Sequence, residues 1–379
     1  MDAITLEVVW NRLIAAVDEA AATLVRTSFS TVVRDSNDYA CVLTDRFGKS
    51  LAQSTLSIPS FICTLPQTIR AMLAVYPEEQ LVEGDVLITN DPWLGTGHLP
   101  DINVVVPVFL EGRMVGFAAT VAHSPDIGGR IRSPDAKELY EEGLRIPVTK
   151  LLRGGMLNQD LVEIISNNVR VPVLVMGDIW AQVSANRRAA ASLKAVIRTY
   201  AIEDVDALAA TIQARSEAAM RRAIAELPDG TYSAHVQGDG YETPIDIHVK
   251  VTIEGDHIGV DYEGSSAQIK RALNVVPNYT FAYTVYPLKC AISPAIPNNE
   301  GCFNPITVSA PSGSILNPSF PAAVGARALT GHLLPPAIFK ALSNIMPASV
   351  QAASGSPIWG VHMAGEEKGR RYASVFFFN

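Results

Sequence analysis

The sequence predicts an α+β protein, with mixed and antiparallel sheets and packed helices in one multi-part chain. Three stretches carry that expectation. From Ile245 to Ile253 apolar residues alternate with Asp246, His248, Lys250 and Thr252, the two-residue period of a strand with one wet face. Val104 to Leu110 and Met114 to Val121 are apolar runs joined at Glu111-Gly112-Arg113, a hairpin whose glycine gives the turn its permissive backbone. From Gly177 to Leu227 the texture shifts to Ala, Arg and Leu, with no Pro and no further Gly. That stretch reads as a pair of helices broken near Ile202-Glu203-Asp204.

The other elements follow in order. Leu6, Val9, Leu13, Val17 and Leu24 have the spacing of an amphipathic helix over Thr5 to Thr27, ending before the β-branched Thr31-Val32-Val33. Tyr39 to Leu43 and Ser50 to Gln53 are short strands around a turn at Asp45-Arg46-Phe47-Gly48. Leu65 to Val75 reads as a helix and Gly84 to Ile88 as a buried strand. Pro228-Asp229-Gly230 is a turn signal, and Glu254-Gly255-Asp256 turns the alternating strand into Ile258 to Tyr262. Beyond Gly264, frequent Pro, Asn and Gly predict loops and short elements.

Composition narrows the function classes. The 379 residues are 48% hydrophobic, enough for a sizeable core, and carry a formal charge of -8. Nucleic-acid binding needs a dense Lys/Arg surface to neutralise phosphates, and no basic run of that kind is present. No stretch approaches the roughly 18 apolar residues of a membrane span, and the N-terminus lacks a secretory pattern. Cys41, Cys63, Cys290 and Cys302 form no CxxC pair and read as reduced, mostly buried thiols, which places the chain in the cytoplasm.

The chemistry concentrates in two polar segments flanking the apolar hairpin. One is Thr89-Asn90-Asp91-Pro92-Trp93-Leu94-Gly95-Thr96-Gly97-His98-Leu99-Pro100-Asp101; the other runs from Val121 through His123 and Asp126 to Gly129. Counting outward from the turn places His123 opposite Pro100, beside Asp101, so His98, Asp101 and His123 gather at one end of the sheet. Two imidazoles and a carboxylate suit Mn²⁺, Zn²⁺ or Fe²⁺ alike, and three protein ligands leave positions for substrate or water. The competing reading is a hydrogen-bonded loop. Arg34-Asp35-Ser36-Asn37-Asp38 is either a helix-to-strand loop or the source of a fourth ligand. Gly48-Lys49-Ser50 fails as a phosphate loop, because Leu43 stands where the earlier glycine belongs. His235, His248 and His257 read as surface residues.

Several blocks together resemble the hydantoinase B/oxoprolinase family, and the likeness spans essentially the whole chain. They are Asn90-Asp91-Pro92, Gly97 to Asp101, Ala122-His123, Asp126 to Gly129, Glu142 to Pro147, Leu152 to Gly155, Asn299 to Phe303, Pro321 to Arg327 and Ala353-Ser354-Gly355. The resemblance implies the metal-binding subunit of a two-component, ATP-dependent cyclic-amide hydrolase that opens hydantoin, 5-oxoproline or lactam rings. The alternative it carries is a subunit of an ATP-dependent ketone carboxylase of the acetone or acetophenone type. A third possibility is a non-catalytic relative with a structural metal closed off by four protein ligands. The nucleotide site, with ATP-Mg, would lie in a hydantoinase A-type partner.

The resemblance also implies metal ligands at His98, Asp101, His123 and Asp35. The family usually has Glu where Asp35 stands, which makes Asp38 the fallback. Asn90 and Asp126 are expected to orient ligands or substrate. Ser57-Ile58-Pro59-Ser60-Phe61 replaces a usual His-containing stretch, and relatives continue past Asn379. The expected organisation is a metal-site α+β domain over 1–175, a helical segment over 176–228 and a β-rich α+β domain over 229–379, shortened at its C-terminus.

Overall fold

A computed structural model describes residues 2–130, 133–353 and 359–378; Ser354 and Gly355 of the last family block lie outside them. In chain order the elements are α1 (Ala3–Thr27), α2 (Thr31–Arg34), β1 (Tyr39–Thr44), β2 (Ser50–Gln53), α3 (Thr64–Val75), β3 (Val86–Thr89), β4 (Asp101–Leu110) and β5 (Arg113–His123). Then come β6 (Thr149–Arg153), β7 (Met156–Leu157), α4 (Gln159–Asn168), α5 (Pro172–Thr199), α6 (Val205–Ala225), β8 (Gly230–Gly238), β9 (Ile245–Glu254) and β10 (His257–Asp261). The last are α7 (Pro277–Ile292), β11 (Ile306–Ser309), α8 (Ala328–Gly331), α9 (Leu334–Leu342), β12 (Trp359–Glu367) and β13 (Arg370–Phe378). This is the α+β class that the sequence predicts.

An antiparallel seven-stranded sheet runs β2-β1-β5-β4-β3-β6-β7. Its central strands are apolar on both faces, because each face is covered. Tyr39, Cys41 and Leu43 point to a core shared with α1 and α5, while Ala40 and Val42 point to one shared with α3. Asp2 caps α1 by accepting from the backbone N–H groups of Ile4 and Thr5, and the predicted apolar stripe of that helix is buried. The second sheet, β11-β10-β9-β8, has one parallel pair, β10 with β11.

The fold differs from the sequence expectation in three places. Helix α5 begins earlier than expected, at Pro172, and keeps Gly177 inside it; a Cβ there would lie 2.5 Å from the Phe29 ring. Helix α7 runs through the region expected to be loops. It is buried nearly all round and contains Pro287, so it shows neither an amphipathic stripe nor a Pro-free run. Cys290 is exposed and Cys63 only partly buried, while Cys41 and Cys302 are buried.

The hairpin that carries the polar segments differs from the simple count by one residue. Near the turn Leu110 faces Arg113 and Phe109 faces Met114, but Val108 faces Gly116, so Val115 is an extra residue on β5. From there the shifted register continues to Asp101 opposite His123. A one-residue shift exchanges the faces of a strand. The bulge therefore puts His123 on the same face as Asp101, directly across from it.

Candidate metal centre

The loop from β3 to β4 is held rigidly before it reaches His98. Asn90 donates to the carbonyls of Leu99 and Leu144, 2.8 and 2.9 Å away, and accepts from the Ile146 N–H at 2.6 Å. Asp91 accepts from the Trp93 N–H and from Arg145. Gly97 adopts φ +98°, with the Arg327 side chain packed where a Cβ would stand.

His98, Asp101 and His123 are each no more than 2% exposed. Nε2 of His98 lies 2.8 Å from Oδ1 of Asp101 and 3.2 Å from Nδ1 of His123, which is 2.9 Å from the same oxygen. Nδ1 of His98 faces the Gly325 carbonyl at 3.1 Å. A carbonyl only accepts, so Nδ1 carries the hydrogen and Nε2 presents a bare lone pair. Burial, followed by the nearby Arg327 charge, pulls the His98 pKa down to about 3, so the ring is neutral. Burial works against ionisation of Asp101, but the polar groups packed on it, the His98 ring and the Arg327 guanidinium foremost, outweigh it and hold its pKa well below the usual range.

Three basic atoms thus converge, among them a neutral imidazole lone pair aimed at a carboxylate. Ligand bonds of about 2.1 Å at right angles would separate neighbouring donors by about 3 Å. The observed separations match that spacing, and the group forms the only cluster of three or more potential ligands among the described residues. The residues fit a divalent metal.

Asp38 lies beside the cluster and Asp35 does not. Asp35 ends α2 with its side chain 60% exposed against Arg34. Asp38 is buried, and its Oδ2 lies 3.8 Å from Nδ1 of His123. Its carbonyl also accepts from the His123 N–H at 3.0 Å. The turn through Asn37, at φ 53°, separates the two carboxylates.

Asn90 and Asp126 both spend their polar atoms on the protein. Asp126 accepts from the N–H groups of Gly128 and Arg170 and from the Arg170 guanidinium. Asn90 braces the loop that carries His98, and Asp126 the loop that follows His123.

Other residues at the site come from far along the chain. Arg327, 3% exposed, donates to Oδ2 of Asp101 at 2.7 Å and to the Thr96 carbonyl at 2.8 Å. Its guanidinium lies 4.2 Å from the centre of the Tyr279 ring, which stacks on Tyr283. The Tyr283 hydroxyl lies 3.2 Å from the Ser60 hydroxyl and 3.1 Å from Nε2 of His332. Ser60 belongs to the replaced segment noted in the sequence. Glu142 grips the backbone before Arg327, and burial raises its pKa to about 7. In the sequence the sole pointer to Arg327 and Glu142 is their place in two of the family blocks.

The buried two-imidazole, one-carboxylate cluster at the open end of an antiparallel hairpin in this α+β chain is a candidate site for a divalent metal ion. The Hydantoinase B/oxoprolinase family model matches residues 2–378, and the chain belongs to that family. It is 32% identical over 376 residues to a putative D-/L-hydantoinase subunit from Pseudomonas sp. (strain NS671), covering 94% of this chain and 64% of that one. The ATP-dependent caprolactamase of Pseudomonas jessenii superposes with a TM-score of 0.90 at 29% identity, over 99% of this chain and 66% of the other. The nucleotide-free acetone carboxylase shares the fold, with a TM-score of 0.88 at 20% identity over 98% of this chain and 52% of the other. The chain therefore spans 64% of the hydantoinase subunit, 66% of the caprolactamase and 52% of the acetone carboxylase. Among the described residues no helix is long and apolar enough to cross a membrane.

Proposed function

We propose that this chain is the metal-holding subunit of a two-component, ATP-dependent hydrolase of cyclic amides, working with a hydantoinase A-type partner that carries ATP-Mg. The observation that carries the reading is the convergence of His98 Nε2, Asp101 Oδ1 and His123 Nδ1 at the buried end of the hairpin. The relatives named as a hydantoinase subunit and an ATP-dependent caprolactamase supply the reaction class.

His98, Asp101 and His123 would hold Mn²⁺, Zn²⁺ or Fe²⁺, with Asp38 as the fourth group. A divalent metal there supplies Lewis-acid polarisation of an amide oxygen and a more acidic water. The chain's own residues do the rest. Gly325 holds His98 in the tautomer that exposes Nε2, and Arg327 keeps Asp101 ionised in a dry setting. Asn90 and Asp126 fix the two loops so that the donors are arranged before substrate arrives. An unactivated amide is a poor electrophile near neutral pH, which is why the partner's ATP-driven activation is required.

The test is to co-express the chain with its hydantoinase A-type partner and follow ATP hydrolysis with hydantoins, 5-oxoproline, lactams and small ketones, with and without bicarbonate. Ring opening independent of bicarbonate is the expected result. Turnover of a ketone only with bicarbonate would reassign the chain to carboxylation. His98→Ala and His123→Ala should each lose bound metal and turnover together; full metal content in either variant would remove the site assignment.

A further inference from the structure

Glu142 touches none of the three converging atoms, yet it grips the loop that holds two of their residues. Its Oε1 accepts from the consecutive backbone N–H groups of Val324 and Gly325, each at 2.7 Å. The same loop then delivers the Gly325 carbonyl to Nδ1 of His98 at 3.1 Å and the Arg327 guanidinium to Asp101 at 2.7 Å. Two amides pinned to one oxygen fix the loop's course just where the Gly325 carbonyl leaves it.

Two further observations argue that this is more than packing. Oε2 of Glu142 is buried and has no hydrogen-bond partner, an arrangement that costs stability and that an apolar residue would avoid. Gly325 also leaves room for the grip: a Cβ there would stand 3.2 Å from the Glu142 carboxyl carbon and Oε1. The loop is built to approach this carboxyl group closely.

We propose that Glu142 is a positioning residue of the metal centre. By gripping the Val324–Gly325 backbone it sets His98 in the tautomer that leaves Nε2 bare and keeps Arg327 on Asp101. The proposal rests on the reading that His98, Asp101 and His123 hold a divalent metal. Its action is indirect, through one peptide carbonyl and one guanidinium, and is therefore separable from the ligands themselves.

The test uses the full chain, stripped with a chelator and titrated with Co²⁺, reading the visible absorption of the bound ion and its Kd by chelator competition. Glu142→Ala should weaken binding by about 10- to 100-fold, the usual effect of losing a group that orients a ligand, and alter the Co²⁺ spectrum. Glu142→Gln keeps an oxygen for both N–H groups and should stay close to the wild type. Gly325→Ala, which crowds the grip while leaving Glu142 in place, should weaken binding in the same direction and carries the test if Glu142→Ala does not fold. Wild-type affinity and spectrum in a folded Glu142→Ala chain, or in Gly325→Ala where the former does not fold, would overturn the proposal and leave the metal site standing. A wild-type chain that takes up no Co²⁺ would overturn the site itself.

Discussion

His98 and Asp101 were legible in the sequence because they lie three positions apart in one Gly-rich segment. Which of Asp35 and Asp38 would stand beside them was not. Asp35 and Asp38 flank one turn, and only the backbone decides which faces His123. Asp35 points to solvent against Arg34, whereas Asp38 is buried 3.8 Å from the His123 ring. Asp35→Ala should therefore leave metal content unchanged, while Asp38→Ala should lower it, both measured by elemental analysis of the purified chain. Equal loss in both would return Asp35 to the site. Glu142 makes a second prediction at this scale. Its pKa is about 7 in the fold against 4.5 for an ordinary Glu, so the fold favours the protonated form. The sign follows: the native state binds the extra proton, and stability falls as pH rises from about 4.5 to about 7, by about 3 kcal/mol in all. His98 contributes the opposite slope, since its neutral ring resists protonation, but it does so equally in both chains compared. Glu142→Gln carries no charge to bury. Urea unfolding of the metal-free proteins should show the Gln variant gaining on the wild type across that window, whereas a constant difference would mean that the carboxyl is already ionised at low pH.

At the level of elements, the apolar runs announced the hairpin, but nothing announced the bulge. Val115 is one more apolar residue in an apolar strand, so the count from Glu111-Gly112 puts His123 against Pro100. The signal was Gly116. Its φ is +156° and a Cβ there would stand 2.2 Å from the Thr44 carbonyl oxygen, so β5 crosses β1 too closely for any side chain. Gly116→Ala should destabilise the fold by about 3 kcal/mol, near the upper end for a single core change, and should reduce metal uptake by loosening the register that faces His123 with Asp101. A thermal melt together with metal analysis checks both parts. Loss of stability with full metal content would show that the register is set elsewhere. Helix α7 was hidden for a different reason: a helix buried on nearly every side has no broad polar face to give it a period, and Pro287 reads as a breaker. Its Tyr279 nevertheless packs under the Arg327 guanidinium, with Tyr283 stacked behind it.

At the scale of the molecule, the centre is a joint. His98, Asp101 and His123 lie at the end of the hairpin in the seven-stranded sheet, while Tyr279 comes from α7, between two strands of the second sheet, and Gly325 and Arg327 from the chain beyond it. No local pattern in the sequence could show this, because His98 and Gly325 are separated by 227 positions. The consequence is thermodynamic. A metal that binds only the folded cluster stabilises the native state by about 2.7 kcal/mol at a free concentration one hundred times its Kd. Since the cluster is braced from both parts of the chain, that free energy should be shared by both. Calorimetry of the metal-free chain should give one main transition, and Zn²⁺ or Mn²⁺ should move all of it upward. If the metal moved only part of the transition and left a lower-melting remainder in place, the bracing from Gly325 and Arg327 would be too weak to couple the two parts. In that case the hairpin end would bind its metal alone.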